Sequence, residues 1–569
     1  MQDLSVRCAL SKHPLRFLVT RSGLIQSCPP CLAPLALAIQ ILPHQNQRGV
    51  ARLPSGFARE RGLCYHSEPS RFGTQGEIPY RRGQVSSQSG WARVQQGLLH
   101  PKPWVRGLTI IIICLAAAAP VGAIIGLLGA LYGTALLIAL AAGYLILRSV
   151  TAGLAILVCV ICLLPFAALP INIGFSPTFL DLVLVLLFFV WASQLVTNKQ
   201  LEFIASPPTM AVLVFVLLAV VSFISGLTHS RLTPNLLRHF LEILLSALVF
   251  LLVINTVRTK TQLKTVVMVL VLAGFAAAGI GVVLYVLPEE LTVRLLSALR
   301  IVRYPSGSSV LRFIEDNPDL ALRATSTSVD PNVLGGMLIF VTTITGAQAV
   351  AKKPLLPRGL LLLMLGVMVL CMLLTFSRGA FVGLAVAFLL LGLLRYRQML
   401  WAVAAIVVVM LIIPPGRVYV QHFLRGLRGQ DLATQMRMGE YRDSLRVIAR
   451  YPWFGVGFSG TPDIDIYLGV SSVYLLIAQE MGILGLLAFL AALVRFFASF
   501  VAARSSWSRD LELEPIVLGT CLAAVGAVVG GALDHYLFNL EFPHAAALLW
   551  LVVGLGASAI RLGGRRSST

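Results

Sequence analysis

From Gly359 to Leu394 the chain runs through 36 residues that carry a single charge, Arg378. As one helix this stretch would reach about 54 Å, against a hydrocarbon thickness of roughly 30 Å. It has to fold as two spans, and the polar Ser377-Arg378-Gly379 is the place to break it. A bare guanidinium at the bilayer centre is costly, so the break belongs at a membrane surface. Of the 569 residues, 57% are hydrophobic and only 12% charged, the make-up of a polytopic membrane protein.

Apolar runs from Gly107 onward number roughly 12 to 14, each long enough to span. The expected fold class is all-α, a polytopic transmembrane helical bundle with a large helical loop outside the cytoplasm. Residues 107–287 read as N-terminal transmembrane helices, 288–332 as an outer loop and 333–415 as further spans with the break at "SRGA". Residues 416–470 read as a large outer loop, 471–561 as C-terminal spans and 562–569 as a cytoplasmic tail. Residues 1–106 differ: they carry 14 Lys and Arg against 4 Asp and Glu, and their apolar run, Leu32 to Leu42, is too short to span. They are expected to be a basic, disordered cytoplasmic tail or an over-extended reading frame, the next Met being Met210. "SCPPC" holds Cys28 and Cys31, with Cys8 and Cys64 scattered; that spacing does not make a finger-like zinc site. No metal and no cofactor is expected. The formal charge of +21 lies in this tail and in short connections, so it speaks for membrane orientation rather than nucleic-acid binding.

Arg148, Lys199, Arg258 with Lys260 and Lys264, Lys352 with Lys353 and Arg358, Arg395 with Arg397, and Arg504 with Arg509 fall in alternate connections. The positive-inside rule puts that set, and both termini, in the cytoplasm. The two long loops then face outward, and Arg378 stands at the outer face at the start of a descending helix. An interfacial arginine can also serve as an anchor that snorkels to lipid phosphate.

The second long loop contains "ATQMRMGEYRDSLRVIARYPWFGVGFSG". Met438, Tyr441, Leu445 and Ile448 recur at the spacing of an apolar helical face, and Arg442, Arg446 and Arg450 form a basic stripe suited to solvent or headgroups. At 100° per residue Arg437 falls near Tyr441, Ser444 and Ile448 and opposite Arg446. It is therefore expected to face a cavity. Pro452 and the glycines that follow end the helix and turn the chain back.

"LLTFSRGAFVGL", then the loop with "YPWFGVGF", then "YLLIAQEMGILGLLAFL", resemble the O-antigen ligase and polymerase family of bacterial envelopes. Upstream, "RATSTSVDPNVLGG" resembles that family's element ahead of a span. The resemblance covers residues 320–500. It implies a metal-independent glycosyltransferase of the cytoplasmic (inner) membrane. Its donor would be an undecaprenyl-pyrophosphate-linked oligosaccharide, transferred to an acceptor hydroxyl as a polymerase or a ligase. A flippase and a chain-length regulator are the expected partners besides the bilayer, and nucleic acid is not one. The resemblance makes Arg378 and Arg437 the ligands of the donor pyrophosphate, with Arg323 a third. Guanidiniums suit that task, because they meet two phosphate oxygens at once and stay charged.

Where the family carries a histidine ahead of "YL", this chain reads "GVSSVYL", with Ser471 in its place. A serine hydroxyl is a poor base near neutral pH. Ser471 and Tyr474 are expected on the acceptor side, and the missing base is sought in Asp534, His535 or His544, which share a segment with Glu541; His422 is a weaker candidate. Asp463 and Asp465 of "TPDID" mimic a metal-holding D-x-D but read better as a loop turn. The acidic Arg312–Asp319 is acceptor-facing or simply solvated. Rival readings are a solute transporter, to which Arg238, His239 and Glu242 would belong, and a scaffold of an envelope polysaccharide complex.

Overall fold

The computed structural model describes residue 96 and residues 98–564, apart from 173, 198–201, 229–230, 413–419, 422–423, 427, 430–431 and 459–469. Nearly all of the basic tail with its cysteines, His422, and Asp463 with Asp465 lie outside the described residues. Contacts divide the chain after Gly90, and all that follows concerns the unit from Trp91 onward.

Eight helices among the described residues are long and apolar enough to cross a membrane, and five shorter apolar helices accompany them. The chain is an all-α, multi-pass membrane protein. Helix α1 covers Pro103–Arg148 and breaks at Gly129, whose φ of 78° is non-helical. At about 1.5 Å per residue its 46 residues exceed one crossing. Then follow α2 Val150–Leu163, α3 Phe179–Thr197, α4 Thr209–Gly226, α5 Pro234–Thr256 and α6 Lys260–Val286. The segment ahead of residue 331 holds α7 Glu289–Ala298 and a minimal hairpin, β1 Arg312–Phe313 with β2 Leu322–Arg323. The second half comprises α8 Pro331–Ala349, α9 Arg358–Leu374, α10 Arg378–Leu394, α11 Gln398–Ile412, α12 Leu432–Arg450, α13 Val473–Ala502, the short α14 Arg504–Trp507, α15 Glu514–Gly530 and α16 Pro543–Gly564.

Helix starts are set by side chains that satisfy the first free amides. Thr259 and Gln262 form a capping box on α6. Asp330 Oδ1 accepts from the Asn332 and Val333 amides ahead of α8, with Pro331 at its first position. Helices α8 and α16 are buried along almost their whole length and form the centre. Helix α16 packs on α5, and α15 on both α8 and α10. The α10–α15 contact is a backbone approach through two G-x-x-x-G pairs. A methyl on Gly383 would meet the Gly526 carbonyl, and one on Gly379 would lie 3.4 Å from the Gly530 carbonyl. Only glycine lets the helices come this close, and the contact sets Gly379, next to Arg378, against Leu533 in the turn that follows α15.

Basic groups at one end of the bundle are tied down. Lys260 pairs with Asp510, Lys264 with Glu512 at 2.6 Å and Arg395 with Glu514 at 2.5 Å. Arg561 donates to the carbonyls of Ile254 and Val257, both at 2.7 Å.

Helix α13 is broken at Gly482, where φ is 70°. Backbone groups freed inside a membrane need partners, and the residues after α12 supply them. Val456 and Gly457 donate to the carbonyls of Gln479 and Glu480, both at 2.9 Å, and Ile483 donates to the Pro452 carbonyl at 2.7 Å. Gly455 and Gly457 (φ 68° and 81°) press against the α13 backbone and against α4, and Gly482 meets the Trp453 backbone. The glycines of "YPWFGVGF" thus do more than turn the chain. They form a latch into the broken helix.

Candidate active site

Helix α9 ends at Leu374 and α10 begins at Arg378, so Thr375, Phe376 and Ser377 make the break in the 36-residue apolar stretch. Phe376 sits at φ 51°, a strained setting for a bulky residue. Its ring is buried beside Ile314, Phe381 and Leu373, which holds the turn in place. Arg323 reinforces it: Nε donates to the Thr375 carbonyl at 2.8 Å and Nη2 to Asn332 Oδ1 at 2.7 Å. The hairpin register sets Arg312 opposite Arg323, so two guanidinium side chains leave the same face. The acidic part of that loop, Glu315 to Asp319, is exposed.

The half-buried Arg378 reaches α12, with Nη1 3.4 Å from Thr434 Oγ1. Its guanidinium lies where a side chain on Gly426 would stand. Arg437 follows Thr434 by three residues on the same face, about 4.5 Å along the helix axis. It is half-buried and makes no hydrogen bond or ion pair with another described residue. Two arginines 59 positions apart in sequence thus meet one face of one helix. Arg442, Arg446 and Arg450 are exposed on the other side, Arg446 pairing with Asp443 at 2.8 Å.

The apolar stripe expected for α12 is only partly its packed face: Tyr441 and Ile448 are half-buried. Met438 and Leu445 are 53% and 56% exposed, whereas Asp443, Ser444 and Val447 are buried. The helix docks through hydrogen bonds at the head of α13, and these override its apolar period. Tyr441 donates its hydroxyl to the Ser471 carbonyl at 3.0 Å. Glu440 Oε2 accepts both the Ser471 amide at 2.9 Å and the Ser471 hydroxyl at 2.6 Å. Sequence reasoning did not single out Glu440. The α13 head is in turn tied to the turn after α15, because the Val473 amide donates to the carbonyls of Gly531 at 2.8 Å and Asp534 at 3.0 Å.

Asp534 is therefore brought beside this group. It is 5% exposed, its Oδ1 accepts the His535 amide at 2.9 Å, and His535 Nδ1 lies 3.4 Å away. Burial pushes the Asp534 carboxyl up, with His535 and Arg437 opposing and Asp330 adding. Burial also pushes the Tyr441 phenol up, with Arg437 opposing and Glu440 and Asp534 adding. These couplings place Arg437, Glu440, Tyr441, Asp534, His535 and Asp330 in one electrostatic neighbourhood.

Two of the expected residues stand apart. His544 is 4% exposed and enclosed by Phe166 (ring centroids 4.9 Å apart) and Phe542. Neither of its ring nitrogens has a partner among the described residues. Tyr474 donates its hydroxyl to the Val528 carbonyl of α15 at 2.6 Å, which braces two helices. Glu541 is exposed on the same turn as His535. Arg238 and Glu242, which a transporter would use, are engaged with each other at 3.5 Å and with Asp181 and Thr178.

No curated protein matches the chain. Residues 362–490 match the family model described as O-antigen ligase. That segment runs from α9 into α13 and contains Arg378, Arg437, Glu440, the latch glycines and Ser471; Arg323 and Asp534 lie outside it. The match places an O-antigen ligase domain across residues 362–490, which supports assigning the chain to that family.

Proposed function

We propose that the chain transfers or polymerises oligosaccharide repeats from undecaprenyl pyrophosphate onto a sugar hydroxyl at the outer face of the cytoplasmic membrane. In this topology both termini are cytoplasmic. The O-antigen ligase domain supports a membrane polysaccharide ligase or polymerase acting on a lipid-linked oligosaccharide. One observation carries the finer reading: the half-buried Arg437 side chain makes no hydrogen bond or ion pair with another described residue and stands one turn from the side chain that Arg378 touches. As the glycosidic bond breaks, negative charge grows on the departing pyrophosphate. Two preorganised guanidiniums stabilise it better than water does. Arg323 and Arg312 add positive charge beside the turn, Arg323 chiefly by holding Thr375 in place. The acceptor lies on the Ser471 side, next to Asp534 and His535.

The test compares wild type, Arg378→Lys and Arg437→Lys, at equal folded amounts, on a purified undecaprenyl-pyrophosphate-linked repeat. Lysine keeps the charge but loses the planar two-point contact. A contact made in the transition state is worth about 2 to 4 kcal/mol, so each variant should lose roughly 30- to 1000-fold in rate. If Arg378→Lys keeps most of its activity, Arg378 is a lipid anchor and the donor site lies elsewhere.

A further inference from the structure

Three carboxylates border the site, and they are not equivalent. Asp330 Oδ1 is engaged as the cap of α8. Asp534 is buried, and that burial favours its protonated form. Glu440 differs from both. It is half-buried, its Oε2 is loaded by both donors of Ser471, and its Oε1 accepts nothing from any described residue. It lies three residues after Arg437, so the two side chains leave neighbouring positions on one helical face. Its orientation is fixed from the α13 side by Ser471, which Tyr441 grips by the carbonyl.

We propose that Glu440 is the general base of the transfer, with Ser471 as the residue that positions it. The inference rests on the glycosyl-transfer reading given above. In the step, the acceptor O–H bond breaks and its proton moves to Glu440 Oε1. The freed electron pair forms the bond from the acceptor oxygen to C1 of the donor sugar. The C1–O bond to the carrier breaks, and its electron pair leaves on the pyrophosphate, facing Arg437 and Arg378. The glutamic acid then returns its proton to water. Ser471 loads one carboxylate oxygen and turns the other outward, so a serine at this place supports the base without being one. His535 is the competing base, since it shares the neighbourhood and its side chain is 28% exposed.

The experiment measures kcat and donor KM for the full chain in detergent with an undecaprenyl-pyrophosphate-linked repeat. The variants are Glu440→Gln, Glu440→Ala with and without added formate, and His535→Asn. Gln can still accept both Ser471 bonds but cannot take a proton. Glu440→Gln should therefore lose about 100-fold or more in kcat with donor KM unchanged, and formate should restore part of the rate to Glu440→Ala. A merely structural carboxylate would give neither the kcat-only loss nor the rescue. Near-wild-type kcat in Glu440→Gln overturns the inference, as does loss without formate rescue of a folded Glu440→Ala. A kcat-only loss confined to His535→Asn assigns the proton to the histidine instead. Absence of transfer by the wild type would refute the glycosyl-transfer reading itself, an outcome distinct from all of these.

Discussion

Gly455→Ala is the substitution whose cost can be worked most directly from the geometry. Gly455 has φ 68°, and a methyl there would collide with the backbone of Gln479 and Glu480. Holding alanine in the left-handed region costs about 1 to 2 kcal/mol. The collision is with backbone, so it is relieved only by lifting residues 455–457 away from α13. That breaks the hydrogen bonds from Val456 to Gln479 and from Gly457 to Glu480, worth about 0.5 to 1.5 kcal/mol each. The sum is about 2 to 5 kcal/mol taken from the latch.

Hydrogen exchange reads this locally. The amides of Val456, Gly457 and Ile483 should exchange about 30- to several-thousand-fold faster in Gly455→Ala, at tenfold per 1.4 kcal/mol. Gly429→Ala is the control: its φ of 66° carries the same conformational cost, but open space surrounds the added methyl. It should leave the three latch amides as they are in the wild type. Gly482→Ala breaks the same latch from the α13 side, so the double variant should fall well short of the summed effects. Wild-type exchange at Val456 and Gly457 in Gly455→Ala would refute the latch.

Two further expectations follow from the site and its orientation. Because burial raises the Asp534 carboxyl, the native chain binds that proton more tightly than the unfolded chain. The stability it contributes is complete below the unfolded value of about 3.9 and is lost as pH rises through the raised native one. Asp534→Asn, permanently neutral, should gain melting temperature over the wild type as pH rises from 4 to 7; a gain that shrinks over that range would mean that Arg437 and His535 outweigh burial. Residue 459 belongs to the segment expected outside, so Ser459→Cys should react with a membrane-impermeant thiol reagent in intact spheroplasts. Labelling that appears only after lysis would invert the topology and with it the proposed function.

The bundle was legible because its signal is local. Apolar runs measured against bilayer thickness mark helices whatever they pack on, and a lone charge within 36 residues marks the turn at 375–377. The half-burial of Arg437, away from the exposed basic stripe, was legible through its angular position. What stayed hidden depends on partners far along the chain. Glu440 meets Ser471 across 31 positions, and nothing local distinguishes it from a solvated glutamate. The apolar stripe of α12 held at Tyr441 and Ile448 but misled at Met438 and Leu445, since hydrogen bonds to α13 help choose the packed face and leave those two outside. Asp534 and His544 looked alike as titratable groups near span ends. Only the tertiary fold separates a carboxyl beside Arg437 from a histidine shut among aromatic rings.

On the proposed reading, one helix sets the distance between the two halves of the chemistry. Arg437 faces the departing pyrophosphate and Glu440 faces the incoming hydroxyl, and three residues of α12 separate them, about 4.5 Å of rise. A single anomeric carbon passing from one oxygen to the other needs its stabilisers that close and that constant. Placing both on one helical turn makes their spacing a property of backbone geometry, insensitive to loop movement. The remaining freedom is motion of α12 as a body, and contacts at three points restrain it: Thr434 to Arg378, residues 440 and 441 to Ser471, and residues 452–457 to the break in α13. Loosening any one of them should therefore lower kcat for donor and acceptor chemistry together. A change at Arg437, by contrast, should act on the leaving group alone.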